Sequence, residues 1–463
     1  MQQGLIRRLH TCSFVVVVLA CAGVVGPVGQ AQPEIEKIQD SVVTERSLTI
    51  DGKYGQSING VAYQQNALMT FNGYQYISWY SGDRRLCIAR RKLPDGNWQR
   101  LKFDDYTYEG HDAHNVISLG ICPRDGTIHL SFDHHNDLLN YRVSRTGVAT
   151  HPQQVEWRAS LFSPVRNHLR DDHPISNLTY PRFIITPDGG LQLFYRSNGT
   201  RSLNTYNPGT QTWSEPRHIV ANNGYPNYNL RYGPRGYLPI MWHWRHTGEL
   251  AFMSSSDQGK TWKNNAGKTI LGANDPDPVS KSDLSQVSAI KTARAPLIML
   301  GGQASDRTGR PHELVWHVPD NLESFQHDGK WDWGRDQARY HHYWRDQSGQ
   351  WHQNLLPGPA GWRGKMFFDN QNNAYAIYVI NKTDSWHHDL YFSHGELIIA
   401  AASAKQRWTD WQVIHREPGP FLNEPLFDYH LWKTSGVLAV FAQESPETPK
   451  DSTPLHVIYY RIK

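Results

Sequence analysis

The sequence predicts an all-β protein in the form of a seven-bladed β-propeller. A short turn followed by an apolar strand occurs seven times, and each copy has Gly or Asn where a tight hairpin needs a positive φ. A supersecondary unit that recurs every ~45 to 75 residues is typical of a propeller. The alternative is a β-sandwich whose turns are similar by chance. The seven copies begin at Asn72, Arg124, Pro187, Pro234, Arg307, Asn370 and Thr434.

Two local features support the propeller. Residues 255–262 fit the Asp-box pattern, S-x-D-x-G-x-T-W, in which Ser and Asp hold a hairpin turn and Trp packs between sheets. Enzymes and binding propellers share this box, so it indicates no reaction. A Trp also follows most units where the next strand begins: Trp98, Trp157, Trp213, Trp262, Trp351 and Trp411.

The composition agrees with a loop-rich β protein. The 463 residues include 37 Gly and 27 Pro, with 12% aromatic and 19% charged residues, and no long amphipathic helical pattern is present. The formal net charge of +4 is small and dispersed, so we expect no nucleic-acid partner. A propeller uses a chain of this length as one domain, and we expect a monomer.

The N-terminus has the pattern of a signal peptide. A basic stretch at residues 7–10 precedes the apolar run 13–25, and the small residues at 29–31 suit cleavage before Gln32. The apolar run is too short to favour a membrane span. We therefore predict a signal peptide over residues 1–31, a single catalytic propeller domain over residues 32–463, and a secreted or periplasmic protein.

The cysteines bear on how the exported protein is anchored and on whether it forms a disulfide. The stretch Val-Leu-Ala-Cys at residues 18–21 resembles a lipoprotein cleavage box, so anchoring of the mature form at Cys21 is the alternative to free export. Cleavage before Gln32 leaves Cys87 and Cys122. These two could form a disulfide in an oxidising compartment, but their separation makes no zinc motif.

Polar residues are concentrated where predicted strands open onto one end of the propeller. Residues 109–115 lead into an apolar strand, and residues 132–137 end the next one. In the following unit, Tyr180 precedes a strand and Arg196 ends its hairpin partner. Residues that begin one strand and end its antiparallel neighbour lie at the same end of a blade, so we expect these side chains to lie close together.

The residue types at this end are those of acid–base catalysis and anion binding. Two His, a Tyr and an Arg on adjacent blades can move protons and hold a carboxylate. The chain contains 24 His and 23 Tyr, so purely structural His-rich loops are one alternative. A metal site is another, although the pattern is not H-E-x-x-H and the spacing predicts no particular metal. Its candidate ligands are His111, His114, His134 and His135.

At these stretches the chain resembles the BNR-repeat propellers that include ulvan lyases and rhamnosyl-glucuronate lyases. The resemblance runs from about Leu48 to the C-terminus, and together its segments are much more specific than an Asp-box. They are HNVISLGICPRDGTIHLSFDHHNDLLNYRVS from His114, TYPRF from Thr179, LFYRSNG from Leu193, NGYPNYN from Asn223, MWHWR from Met241, YWRDQSGQWHQ from Tyr343 and WRGKMFFDNQNNAY from Trp362.

The resemblance implies four catalytic positions. His114 matches the family's first catalytic His and His135 the second, with His134 as the alternative to His135. Tyr180 matches the catalytic Tyr, and Arg196 matches the Arg that binds the substrate carboxylate.

One departure from the family pattern bears on the first His. The stretch between the two His is one residue longer around Pro123, so His111 is the alternative to His114. Implied substrate-binding positions are Tyr225, Arg245, Arg363, His111, His134 and Asn115. The paired Cys and His that hold a structural zinc in some ulvan lyases are not evident, whereas other relatives hold calcium. The implied chemistry requires no cofactor.

The implied function is an exported polysaccharide lyase that cleaves rhamnosyl-(1→4)-glucuronate linkages by β-elimination. Ulvan is the favoured acidic polymer, and rhamnose-capped glucuronan chains are the other candidate. An Arg beside the uronate carboxylate would stabilise the enediolate, and a neutral His can accept the carbon-bound proton. The alternatives are an α-L-rhamnosidase or sialidase-type hydrolase on the same propeller, and a non-catalytic glycan-binding propeller with Trp242 and Trp244 as platforms.

Overall fold

Antiparallel hairpins provide nearly all of the regular structure in the computed structural model of the chain. The structure describes Met1 and residues 33–463, apart from residues 53–54, 171–172, 227–228, 245–247, 292–298, 318–337, 382–393 and 449–450. The prediction of an all-β fold is confirmed. Beyond Met1, the predicted signal peptide over residues 1–31, with Cys21, lies outside the described residues.

The N-terminal part of the described chain contains one long strand, a small hairpin and a four-stranded sheet. Strand β1 pairs outside this group, β2 pairs with β3, and β4 to β7 follow one another in chain order. Their bounds are β1 Ile35–Ser47, β2 Thr49–Gly52, β3 Gly55–Ser57, β4 Leu68–Phe71, β5 Tyr74–Tyr80, β6 Arg85–Lys92 and β7 Gln99–Thr107.

The next two sheets are interleaved in the sequence, because one strand of the second sheet lies between two strands of the first. Their strands are β8 Ile117–Ile121, β9 Ile128–Phe132, β10 His135–Asp137, β11 Tyr141–Val143, β12 Leu178–Ile185, β13 Leu191–Ser197, β14 Thr200–Asn207, β15 Thr212–Trp213 and β16 Arg217–Val220. Strands β8, β9 and β11 form a three-stranded sheet, whereas β10 pairs with β12 of the following sheet. This crossing places His135 opposite Thr179.

Two further sheets follow the same hairpin plan. One has the order β17-β18-β19-β20-β21 with β22 added to β19, and the other has the order β23-β24-β25-β26. A single-turn helix, α1 (Leu284–Val287), precedes β22. The strands are β17 Tyr225–Pro226, β18 Leu238–His243, β19 Glu249–Ser255, β20 Trp262–Lys263, β21 Thr269–Leu271, β22 Ser288–Lys291, β23 Met299–Ser305, β24 Pro311–His317, β25 Arg339–Arg345 and β26 Trp351–Leu355.

The last sheet joins the two ends of the described chain. It has seven strands in the order β1-β32-β31-β30-β29-β28-β27, so the N-terminal strand pairs with the C-terminal one. Helix α2 (Tyr429–Ser435) lies between β30 and β31. The strands are β27 Lys365–Phe368, β28 Ala374–Asn381, β29 His394–Ala402, β30 Gln412–Phe427, β31 Val437–Glu444 and β32 Thr453–Ile462.

The repeated turns have the positive φ that the sequence predicts, but the last one caps helix α2 and is not a tight hairpin turn. Each contains at least one residue with a positive φ, the region that Gly and Asn adopt at low cost. These residues are Asn72, Gly73, Gly126, Gly189, Arg235, Gly236, Gly309, Asn372 and Gly436. In the stretch that fits the Asp-box, Asp257 accepts the backbone N–H of Thr261 at 2.9 Å, and Trp262 is fully buried.

The two cysteines of the described chain are unbonded. Cys87 lies in β6 and Cys122 follows β8, and both are buried in separate apolar clusters. The disulfide considered from the sequence is therefore not formed, because each thiol packs within its own cluster. Within the described residues, no helix has the length and apolar composition that a membrane crossing requires.

Candidate active site

The structure brings the four predicted catalytic side chains together. The rings of His114 and His135 stack with a centroid distance of 4.0 Å and an interplanar angle of 16°. The ring of Tyr180 lies 5.7 Å from that of His114, and the Arg196 guanidinium carbon lies 5.2 Å from the Tyr180 ring centroid. Segments distant in sequence thus form one cluster of two imidazoles, a phenol and a guanidinium.

A tight turn before β8 holds His114. The backbone N–H of His114 donates to Oδ1 of Asp112 at 2.9 Å, and the N–H of Asn115 donates to the Asp112 carbonyl at 3.1 Å. The Tyr80 hydroxyl donates to the Asn115 carbonyl at 3.0 Å. The Asn115 amide donates to Asp133, so this predicted substrate contact is engaged within the protein. The turn therefore fixes the direction of the His114 side chain.

The crossing strand β10 holds His135. Its backbone N–H donates to Oδ2 of Asp137 at 2.7 Å, and the next residue, Asn136, has a φ of 70°. The Asn136 N–H donates to the Thr179 hydroxyl at 2.9 Å. The same Asn136 and Thr179 receive hydrogen bonds from Arg196. Strand β10 therefore links the second His to the Arg of the neighbouring sheet.

Asp112 joins the two imidazoles. Its Oδ1 lies 2.6 Å from Nδ1 of His114, and its Oδ2 lies 2.6 Å from Nδ1 of His135. Sequence reasoning missed this residue, although its place two residues before His114 is the usual one for an Asp that caps a turn. A carboxylate shared by both rings makes the pair a single unit.

Burial and hydrogen bonding set the ionisation of this unit. Burial lowers the pKa of His114 to about 4, against the opposing hydrogen bond with Asp112, and the charges of His135 and Arg363 lower it further. For Asp112, burial raises the pKa, but the hydrogen bonds with His114 and His135 outweigh burial and hold it well below its usual range. His114 is therefore a neutral imidazole and Asp112 an anion at neutral pH.

Tyr180 is held in a strained conformation beside two guanidinium groups. It has a φ of 59°, in the left-handed region that a bulky residue rarely adopts. The register of β12 against β13 shifts between Thr179 and Arg182, which is the signature of a bulge at this point. The guanidinium carbon of Arg201 also lies 5.2 Å from the centroid of the Tyr180 ring. Arg201 was not among the residues predicted from the sequence. Strain of this kind is concentrated at functional sites.

Arg196 has a fixed orientation. Its Nη2 donates to Oδ1 of Asn136 at 2.7 Å and to the hydroxyl of Thr179 at 2.8 Å. Two acceptors on one nitrogen fix the plane of the guanidinium, which can then present its other donors to a planar anion such as a carboxylate.

Arg363 lies in a buried ion pair. Its Nη1 donates to Oε1 of Glu424 at 2.5 Å, and both side chains are 4% exposed. The other oxygen of Glu424 accepts the backbone N–H of Ala62 at 2.6 Å. Arg363 thus contributes positive charge near His114 and is held by Glu424, a partner that the sequence did not predict.

The remaining predicted positions differ in their placement. His134 is fully buried, and its Nε2 accepts the backbone N–H of Asn140 at 2.8 Å, so the geometry favours His135 over His134 as the second catalytic His. His111 is exposed. Arg245 lies outside the described residues, and the side chain of Tyr225 is also outside what the structure describes.

The metal hypothesis fits the observed distances poorly. Within the described part of the chain, Asp112, His114 and His135 form a group whose ligand atoms lie within 4.8 Å of one another and could hold an ion. Two ligands of a tetrahedral zinc lie about 3.3 Å apart. The two 2.6 Å contacts with Asp112 are shorter and match charge-assisted hydrogen bonds. Structural calcium stays a prediction.

The chain is similar to known proteins over part of its length. The family model for "BNR repeat-containing family member" matches residues 74–357. The long isoform of ulvan lyase from Pseudoalteromonas sp. (strain PLSV) is 27% identical over 200 residues, which is 34% of this chain and 20% of that protein. The short isoform from Alteromonas sp. (strain LOR) is 24% identical over 214 residues, 36% of this chain and 40% of that protein. The chain therefore matches only a minor part of these relatives.

Solved structures share the fold. The crystal structure of the polysaccharide lyase Uly1 has a TM-score of 0.70 and 17% identity, covering 92% of this chain and 100% of that one. A PL25 ulvan lyase bound to -[GlcA(1-4)Rha3S]- has a TM-score of 0.63 and 13% identity, covering 90% of this chain and 94% of that one.

Proposed function

This chain belongs to the BNR repeat-containing family, and from that premise we propose that it is a polysaccharide lyase. Its substrate is an acidic polysaccharide with rhamnosyl-(1→4)-glucuronate linkages, and ulvan is the favoured polymer. The observation that carries this proposal is the cluster of His114, His135, Tyr180 and Arg196. The ulvan lyases similar to this chain support the choice of polymer.

The first step is removal of the proton on carbon 5 of the uronate. A neutral His114 accepts this proton at Nε2, because its Nδ1 contacts Asp112. The low pKa of the buried imidazole keeps it unprotonated in the free protein. The negative charge of a bound uronate makes the imidazole more basic, which brings its pKa closer to the working pH.

The second requirement is stabilisation of the enediolate that forms on the carboxylate. Arg196 supplies planar, charged donors whose direction Asn136 and Thr179 have already fixed. Donors that need no reorganisation when charge develops are the most effective in catalysis. His135 stacks on His114 and contacts the other oxygen of Asp112, so it helps to hold the base in place.

The last step is departure of the oxygen on carbon 4. Tyr180 donates its hydroxyl proton to this oxygen as the bond breaks, and the product is an unsaturated uronate with no water added. The guanidinium groups of Arg196 and Arg201 lie beside the Tyr180 ring, where their charge can stabilise the negative charge that develops as the proton leaves. No covalent nucleophile enters this sequence of steps.

The proposal extends to the architecture and location of the protein. The sheets close into a seven-bladed propeller, and the pairing of β1 with β32 joins its first and last segments. The succession of antiparallel sheets along the chain supports this closure. Residues 1–31 direct export as a signal peptide, with anchoring at Cys21 as the alternative, and the mature protein is a monomer.

The test is a direct assay on polymer. Purified protein is incubated with ulvan and with a rhamnose-capped glucuronate polysaccharide, and the ultraviolet absorbance of unsaturated uronate is followed. A rise on either substrate supports the lyase. Release of saturated sugars without absorbance would instead indicate the rhamnosidase or another hydrolase, and binding without any product would indicate a glycan-binding propeller.

A further inference from the structure

The contact of Asp112 with two imidazoles has a consequence for their protonation. Each oxygen of this carboxylate lies 2.6 Å from the Nδ1 atom of a different histidine, His114 or His135. Oδ1 also accepts the backbone N–H of His114 at 2.9 Å, and the backbone N–H of Asp112 donates to the Tyr108 hydroxyl at 2.9 Å. The carboxylate is therefore held in one orientation between the two rings.

We propose that Asp112 is a positioning residue that holds both His114 and His135 in the tautomer with the proton on Nδ1. This inference gains its catalytic meaning from the proposed function, but the tautomers themselves are a property of the free protein.

The argument rests on what each group can donate. An ionised carboxylate only accepts hydrogen bonds, and a neutral imidazole carries one N–H. Two short contacts to one carboxylate therefore require an N–H on each Nδ1 atom. The Nε2 atoms of His114 and His135 are then both acceptors, as a base that takes a carbon-bound proton requires.

The shared carboxylate also limits the pair to one added proton. Rings stacked at 4.0 Å repel each other strongly when both are charged, whereas one imidazolium is compensated by Asp112. Asp112 thus stabilises the imidazolium that forms when His114 takes the substrate proton. The three residues act as one proton acceptor with a fixed direction.

The change Asp112→Asn separates this role from simple packing. The amide has the same size, but it has one oxygen acceptor and one NH2 donor in place of two oxygens. It can accept from one Nδ1–H only, and the other imidazole must move its proton to Nε2. One of the two Nε2 atoms is then a donor and no longer an acceptor.

The primary measurement is long-range 1H–15N correlation NMR of the imidazole rings, with His114→Gln and His135→Gln used to assign the signals. In the unsubstituted protein we expect both neutral rings to carry the proton on Nδ1, and in Asp112→Asn we expect one of them to carry it on Nε2.

On polymer, kcat of Asp112→Asn should fall by about 10² to 10⁴ with KM within a few-fold. The matched control is Asp125→Asn at the opposite end of the β8–β9 hairpin, where Asp125 contacts Thr127 and Tyr206. This control should keep both tautomers and kcat.

Several results would overturn the inference. If either neutral ring in the unsubstituted protein carries its proton on Nε2, the inference is wrong. This result needs no variant, so it holds even if Asp112→Asn does not fold. Unchanged tautomers or an unchanged kcat in Asp112→Asn would also overturn the inference. If both tautomers are as expected but no polymer is cleaved, the positioning role stands and the proposed lyase function fails.

Discussion

His114 and His135 stack face to face at 4.0 Å, although one precedes β8 and the other follows β9 in the sequence. The contact arises because the turn before β8 and the crossing strand β10 meet at one end of the hairpin, where Asp112 contacts both rings. The pair faces Tyr180 and, beyond it, Arg196 on the next sheet. In the proposed mechanism the His pair provides the base, and Tyr180 and Arg196 on the neighbouring sheet provide the acid and the cation.

Arg196→Lys should weaken catalysis by about 2 to 4 kcal/mol in transition-state stabilisation, because the charge stays while the planar fork of donors is lost. The measurement is kcat/KM on polymer relative to the unsubstituted protein. Arg124→Lys is the matched control, since Arg124 is exposed and pairs with Asp188 on a distant turn. Retention of kcat/KM within two- to three-fold in Arg196→Lys would show that the bidentate geometry is not used.

Tyr180→Phe should abolish turnover while polymer binding persists, because only the hydroxyl that protonates the leaving oxygen is removed. Turnover is measured by absorbance, and binding by isothermal titration with the same polymer. Tyr74→Phe, on the half-buried start of β5, is the control. A Tyr180→Phe protein that turns over normally would contradict the role of Tyr180 as the acid.

His114→Ala should remove turnover, whereas His111→Ala should have a mild effect. His114 is in the stacked pair, and His111 is exposed. The comparison also decides between the two residues that the longer stretch near Pro123 leaves open in the sequence. If His111→Ala loses turnover and His114→Ala keeps most of it, the assignment of the base is wrong.

The pH dependence of kcat/KM should have its acidic limb near pH 4, at the pKa of His114 in the free protein. The base is neutral above this pKa and charged below it, so kcat/KM falls as the pH drops through 4. An acidic limb at the ordinary histidine pKa, about 6.5, would contradict the buried base.

Folding stability should also fall as the pH decreases below about 6.5. Burial lowers the pKa of His114 to about 4 and those of His129 and His134 to about 3, so the unfolded chain binds more protons than the folded one between these values. Each residue then costs up to about 1.4 kcal/mol per pH unit. Urea unfolding at pH 7 and at pH 5 measures the difference, and equal stabilities at the two pH values would contradict it.

Glu424→Gln should destabilise the fold by about 3 to 5 kcal/mol, because it leaves the buried charge of Arg363 without its counter-ion. Glu396→Gln is the control: its pair with Arg416 is solvent-exposed, so the loss should be at most about 1 kcal/mol. Chemical denaturation of both variants gives the comparison. Equal losses would mean that burial of the Arg363 pair has no energetic consequence.

The sequence predicts the local parts of this structure well. The repeated turns follow from Gly and Asn at positions of positive φ, and the meeting of Tyr180 with Arg196 follows from their places at the start and end of paired strands. Hairpin pairing is a short-range property, so a pattern of turns and strands is sufficient to predict it.

The parts that the sequence did not predict depend on contacts between distant segments. Asp112 is close to His114 in sequence, but its second partner, His135, is brought to it by the crossing of β10 into the next sheet. Glu424 reaches Arg363 only through tertiary packing. His134 and His135 are sequence neighbours with the same side chain, and only the structure shows that His134 is fully buried while His135 is partly exposed.

The most direct test of the lyase proposal is product analysis by mass spectrometry after digestion of ulvan oligosaccharides in water enriched in oxygen-18. The account predicts fragment pairs whose summed mass equals that of the substrate, with an unsaturated uronate on one fragment and no oxygen-18 incorporated at cleavage. Fragments that together gain one water molecule and carry oxygen-18 at the new end would contradict it and establish hydrolysis.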